Sequence, residues 1–329
     1  TLTTEKPIFS LKPGIYATSQ ALTINTPTPS LRVYYTLDGS DPRESAAFLI
    51  SGGSLTVSNR PPVTSGLPLM RTNPVEISNS VPSAAWLPPL GGVTHAMVVR
   101  AIAVSADGTE CSPETQGTYF VGPGFTNRPL PVVSLITATN NLVGFTDGIF
   151  VPGVMYANSP EGYGENKWGK PYANYHQDSD GVSWERPVYF ELFEPACATS
   201  SVSLLLGTAM YGGGTRAIPQ KTLYLMARLG EYGTDRVDYP LFPNEAPTSY
   251  KRFLLRNSGN DWYGPDTGVA TMMKDAVFHE IVKGLDISVM AYRPAVAYVN
   301  GYYWGILNLR ESYDKDYLGT RYGIDPDNA

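Results

Sequence analysis

The sequence predicts a mainly β protein: an N-terminal β-sandwich, then an α+β unit with a mixed sheet and one main amphipathic helix. Three observations carry this reading. The chain is rich in tyrosine (22), glycine (32) and proline (28), a composition that suits strands joined by many turns. Its apolar runs are short, alternate in polarity and stop at turn dipeptides. Only one stretch, residues 270–285, carries a helical period.

In the first unit, LRVYYTL (Leu31 to Leu37) alternates and runs into Asp38-Gly39, a strong turn signal. MVVRAIAV (Met97 to Val104) is a second strand, stopped by Asp107-Gly108, and Gly117 to Gly122 closes the series. Short strands with turns and no helical period predict a sandwich. The tract from about 51 to 90 is rich in Ser, Pro and Gly and reads as an insertion or ordered surface loop. Gly122 to Pro131 is the linker candidate, which divides the chain into 1–124 and 125–329.

The second unit opens with LPVVSLITA. A loop-like tract of Tyr, Asn, Gly, Trp and Asp fills 155–185. Strands are expected over Arg186 to Phe193, Ser203 to Tyr211, Lys221 to Arg228 and Lys251 to Asn257. Gly212-Gly213-Gly214 separates the second from the third. In ATMMKDAVFHEIVKGL, Met273, Val277, Phe278, Ile281, Val282 and Leu285 fall on one helical stripe, expected to face the core. Gly284 stands where a left-handed cap is favoured. Asn300-Gly301 then joins two strands as a hairpin.

Composition excludes several classes. A 16% charged, 42% hydrophobic chain is a folded one. Net charge is −6 with no basic block, so the footprint of a nucleic-acid binder is missing. No apolar run approaches a membrane helix. Cys111 and Cys197 fall in different units, so a bridge between them is not expected, and no CxxC spacing signals zinc. With three histidines a His-based metal centre is not expected, and no metal ligands are assigned. The chain opens at Thr1 with no signal-like segment, read here as a processed start.

The chemistry centres on GGGTRAIPQK, Gly212 to Lys221. Backbone without side chains can approach an anion closely, and its N–H groups can cradle phosphate. Arg216 and Lys221 would add a bidentate and a point charge. The competing reading is a tight hairpin with Lys221 on the strand surface. A P-loop fails, because Gln220 stands where that motif needs Gly and a strand follows, not a helix. Asn257, Asn260 and Asp261 suit a nucleotide or metal site, or more simply a turn. Ser258 is in no nucleophile elbow. Asp275 and His279, four apart, can meet on the helix; a dipole-favoured Asp and a structural His explain them as well. Asp38 and Asp41 fit a turn better than a calcium loop. Trp168, Tyr172, Tyr175 and Trp184 could stack on a sugar or pack beneath the loop.

Two stretches resemble known families. PGIYATSQALTI, VYYTLDGSDPRES, VRAIAVSADGTECSP and GTY, within about 7–120, resemble the chitobiase/β-hexosaminidase C-terminal-like module, which implies an immunoglobulin-like sandwich, with 51–90 departing as an insertion. Over roughly 128–328, LPVVSLIT, GIFV, WERPVYFELF, YGGGTRAIPQKTLYLMARLGEYG, YPLFP, FLLRNSGND, YRPAVAYVNGYYWGILNLRE and YGIDPDN occur in the order seen in the spore-coat CotH kinase-like family. That resemblance implies a divergent kinase, its sheet like a kinase N-lobe, that binds ATP with Mg or Mn and phosphorylates proteins.

It also implies a secreted or cell-surface location. Gly212, Gly213, Gly214, Arg216, Lys221 and Arg256 are then the nucleotide-facing candidates. A kinase pairs its strand lysine with a helix glutamate, which nominates Glu280 as partner of Lys221; a solvated charge is the alternative. Catalytic and metal-binding Asp residues are expected in a second lobe downstream of Ala329, so this fragment would need no cofactor and be inactive alone. Its partners would be a protein substrate or a surface polysaccharide. The alternative function is cell-surface adhesion or a carbohydrate-associated accessory, although no carboxylate pair suggests glycoside hydrolysis.

Overall fold

The computed structural model describes residues 5–70, 72, 92–158, 173–176, 184–245, 247–261 and 270–328. Among the described residues, eight strands build the first unit: β1 (Ile8–Phe9), β2 (Gly14–Tyr16), β3 (Gln20–Asn25), β4 (Arg32–Thr36), β5 (Phe48–Ile50), β6 (Gly53–Val57), β7 (Met97–Val104) and β8 (Thr115–Val121). They form two sheets, β1-β3-β6 and β2-β8-β7-β4-β5. Alternation sets the faces: Leu22 and Ile24 of β3 meet Val33, Met97, Val99, Tyr119 and Val121 in one core. All eight residues of β7 are buried, so the strand is covered on both faces. On its outer side Arg100 grips Glu114 at 2.5 and 2.9 Å and donates to the Gly39 carbonyl.

Asp38 and Asp41 are turn residues. Asp38 accepts from the Ser40 N–H and hydroxyl, and Asp41 accepts from the Arg43 N–H, capping the turn Pro42–Glu44. The insertion expected from about 51 starts later than the composition suggested. Gly53–Val57 pairs with β3 as a sheet strand, its Val57 in the core.

The second unit holds β9 (Val132–Ile136), α1 (Thr139–Val143), α2 (Gly153–Ala157), β10 (Arg186–Phe193), β11 (Val202–Met210), β12 (Leu223–Met226), α3 (Leu229–Tyr232), β13 (Val237–Asp238), β14 (Ser249–Tyr250), β15 (Arg252–Arg256), α4 (Lys274–Val282), β16 (Tyr292–Val299), β17 (Tyr302–Arg310) and α5 (Lys315–Tyr322). Its sheet is mixed, as expected, but it closes into a barrel in the order β10-β11-β12-β15-β17-β16-β9. β9 is the closing strand: antiparallel to β10, parallel to β16, and buried along its whole length. Phe190, Leu206, Leu225, Phe253, Leu255 and Leu309 fill the interior.

Sandwich and barrel share a buried seam. Phe120 of β8 lies edge-on to Phe193 and Tyr298 at 5.3 and 4.8 Å, with Ile15, Ala96 and Val132 around them. The Asn300-Gly301 turn, both residues at positive φ as a two-residue hairpin requires, tucks against the sandwich. There Gly301 O accepts from the Ala96 N–H at 2.7 Å. No helix among the described residues is long and apolar enough to cross a membrane.

The helix is where the sequence reading fails most clearly. Residues 274–282 do form α4, but its apolar stripe faces solvent: Phe278 is 65% and Ile281 69% exposed, and Val277, Met273 and Leu285 are also exposed. Ala276 is its one buried residue. Polar contacts, not the stripe, dock the helix. Asp275 meets Arg256 and Arg310 at 3.3 and 3.5 Å, and the His279 ring accepts from the Met290 N–H at 3.0 Å.

Candidate functional site

β11 ends at Met210, and the chain turns through Gly212 at φ 111°, a conformation only glycine adopts readily. Residues Gly214–Ala217 make a short 3-10 turn before the chain enters β12. The two cations expected to reach outward fold back instead. Arg216 donates from Nε to Gly212 O at 2.6 Å, and Lys221 donates from Nζ to Arg216 O at 2.7 Å. Lys221 is fully buried, its ammonium 4.1 Å from the centre of the Tyr175 ring. Burial lowers its pKa well below the ordinary lysine value. His176, also held low at about 4 chiefly by burial, shares Gly213 O with the loop at 3.0 Å. Arg216, Lys221 and His176 therefore brace the loop from behind.

The open side of the loop is a cleft of about 170 Å³ lined by Tyr211, Gly212, Thr215, Thr222, Arg256, Asn257 and Gly259. Asn257 is its fully buried keystone. Its side chain accepts from Thr222 Oγ1 at 2.8 Å and from Gly259 N at 3.0 Å, and donates to Gln220 O at 2.5 Å. Arg256 reaches Asp275 with one Nη, while its buried Nε has no hydrogen-bond partner. The cleft is thus a small concavity lined by a guanidinium, threonines and glycine backbone.

Of the nominated residues, the structure brings Gly212 and Arg256 together in this cleft, with Asn257. It does not bring Lys221 to Glu280: Glu280 stands 66% exposed on α4, 3.6 Å from Lys283, while Lys221 is sealed in the barrel. Inward alternation from Lys221 through Leu223 and Leu225 explains the separation, since α4 lies outside. Asp261 belongs to α4, not to a metal. It accepts from the Thr271 hydroxyl at 2.6 Å and from the N–H groups of Met273 and Lys274, both at 2.9 Å, and despite burial these bonds, that of Thr271 first, hold its pKa low. Ser258 is also spent, donating to Met272 O. The side chain of Asn260 lies outside the described residues.

Sequence reasoning missed Tyr211, Thr215, Thr222 and the fully buried Arg310. Period two beside Lys221 and Arg256 was the available signal for Thr222. Of the aromatic tract, Tyr175 is in the barrel core and Trp184 packs against it. Trp168 and Tyr172 lie outside the described residues.

The comparisons match this architecture. Residues 209–329 match the family model for CotH kinase protein. That segment is similar to CotH kinase protein. It begins at the end of β11 and takes in the glycine loop, the whole cleft, α4 and the β16–β17 hairpin, a shorter span than the 128–328 that the motifs suggested. Residues 11–81 match the chitobiase/beta-hexosaminidase C-terminal domain, a range that includes β2 to β6 of the sandwich. A comparison with curated proteins gave no match. The likeness points to a kinase-like protein.

Proposed function

We propose that the cleft beside Gly212 receives the phosphate end of ATP, and that the whole protein transfers phosphate to a protein hydroxyl outside the cell or at its surface. The observation that carries this reading is Arg256, which lines the cleft together with Gly212 and whose buried Nε has no hydrogen-bond partner among the described residues. A guanidinium beside glycine backbone suits a phosphoryl oxygen. The volume suits one or two phosphoryl groups; the base and ribose would lie outside it. Among the described residues the lining includes no carboxylate, so these residues do not fit a divalent cation, and the Mg or Mn expected from the resemblance is not assigned to them.

Calorimetric titration of ATP, ADP and inorganic phosphate into the protein tests the reading. ATP and ADP should bind, and Arg256→Gln should weaken both by roughly 10- to 100-fold, the worth of a hydrogen bond to a charged group. Equal affinity in wild type and variant, or no binding at millimolar nucleotide, would sink it.

A further inference from the structure

Glu191 on β10 is fully buried, yet it points away from the barrel interior. Along β10, Val188, Phe190 and Leu192 face inward, so Tyr189, Glu191 and Phe193 face outward, toward the sandwich. The carboxylate meets β8 there, accepting from the Thr118 N–H at 3.0 Å. The Thr118 hydroxyl in turn bonds the Ser134 hydroxyl of β9 at 2.7 Å. A side chain added at Gly117 would stand 3.6 Å from Glu191 Oε1, so the two strands nearly touch.

Among the described residues, these groups bear on the carboxyl. On β8 they are Thr118 and the Tyr119 phenol, and on its own strand the Tyr189 phenol. On the flanking strands its register partners are Ser134 and Ser203. No cation among the described residues bears on it. Burial raises its pKa to about 8, against the pull of the Thr118 hydrogen bonds. An ionised carboxylate in a dry seam without a counter-charge is costly, and opening the seam to water relieves that cost.

We propose that Glu191 is a pH-sensitive latch between the sandwich and the barrel, closed while its carboxyl is neutral and loosened when its proton is lost to solvent. The sign follows from linkage. The carboxyl binds its proton more tightly in the closed seam than in water, where its pKa is about 4.3. Its contribution to closure is complete below that value, declines as pH rises, and is gone above about 8. One proton is involved, so the opening constant should rise about tenfold per pH unit between roughly 6.5 and 8, above the range in which His95 of the same seam titrates, then level off.

Hydrogen exchange on the whole protein, corrected for intrinsic rates, reads this opening. The amides of Ile15, Ala96 and Thr118 report the seam, and those of Leu206 and Leu225 the barrel. We expect the seam amides to exchange through an opening that leaves the barrel amides protected, with the tenfold slope between about pH 6.5 and 8 in wild type and no slope over that range in Glu191→Gln. The same slope in the variant, or seam amides that open only with the barrel, would overturn the latch. Should the variant not fold, the wild-type Thr118 amide resonance decides alone. Its titration should turn near pH 8, and a midpoint in the ordinary glutamate range would refute the proposal.

Discussion

At the scale of single residues, the glycine loop shows how burial redirects a basic side chain. The positive charges at Arg216 and Lys221 are visible in the sequence, but the face each occupies depends on the strand that follows. Lys221 sits in phase with Leu223 and Leu225 and is drawn into the core, where it can only brace the loop. Its depressed pKa gives a stability term that is present at high pH and shrinks as pH falls below the ordinary lysine value. Lys221→Met should therefore flatten the rise in stability between pH 7 and 10 relative to wild type, measured by urea unfolding at several pH values. Arg256, by contrast, was legible as a functional candidate, a basic residue on a later expected strand that the resemblance nominated as nucleotide-facing, and it ends β15 beside the cleft. Asn257, one residue on, was readable only as a turn residue; its role appears once Thr222, Gly259 and Gln220 converge on it from separate segments.

At the scale of elements, α4 separates helix existence from helix orientation. The 3.6-residue stripe placed the helix correctly within a few residues. It misled about the buried face, because Ala276 and the Asp275–Arg256–Arg310 contacts dock the opposite side. Neither Arg256 nor Arg310 is close to Asp275 in sequence, so no local pattern could reveal the contacts. Phe278→Ser should then change stability by less than about 0.5 kcal/mol, as an exposed substitution does. Asp261→Ala should cost about 1–2 kcal/mol, since it leaves the first N–H groups of α4 without their carboxylate. Thermal unfolding of the two variants side by side checks both. The hairpin was fully legible: Asn300-Gly301 is the expected turn, and Gly301→Ala should be strained both by its φ of 82° and by a Cβ 2.6 Å from Ala96 O.

For the whole molecule, strand content and the two-unit order could be read from the sequence, whereas closure of the barrel could not. Closure depends on β9 pairing with β16, more than 150 residues later, and periodicity does not encode such a partner. The seam was equally hidden. It holds His95, stacked 4.5 Å from Tyr302 of the hairpin, with its pKa lowered to about 4 mainly by burial. A lowered histidine stabilises the molecule above its ordinary pKa of about 6.5, and that contribution fades as pH falls toward 4. His95→Phe should keep the stack and reduce the acid-side loss, seen as a smaller drop in melting temperature between pH 7 and 4.5.

The family match and the barrel do not share a boundary. The match begins at Ala209, whereas closure needs β9, β10 and nearly all of β11, which precede it. A fragment cut at that boundary would keep the catalytically suggestive residues and lose three staves of the barrel. β12 and β16 would then become raw edges, open to pairing with other chains. The transferable cassette, for an engineer grafting this segment onto another protein, starts no later than Val132 and includes strands that the family match leaves out.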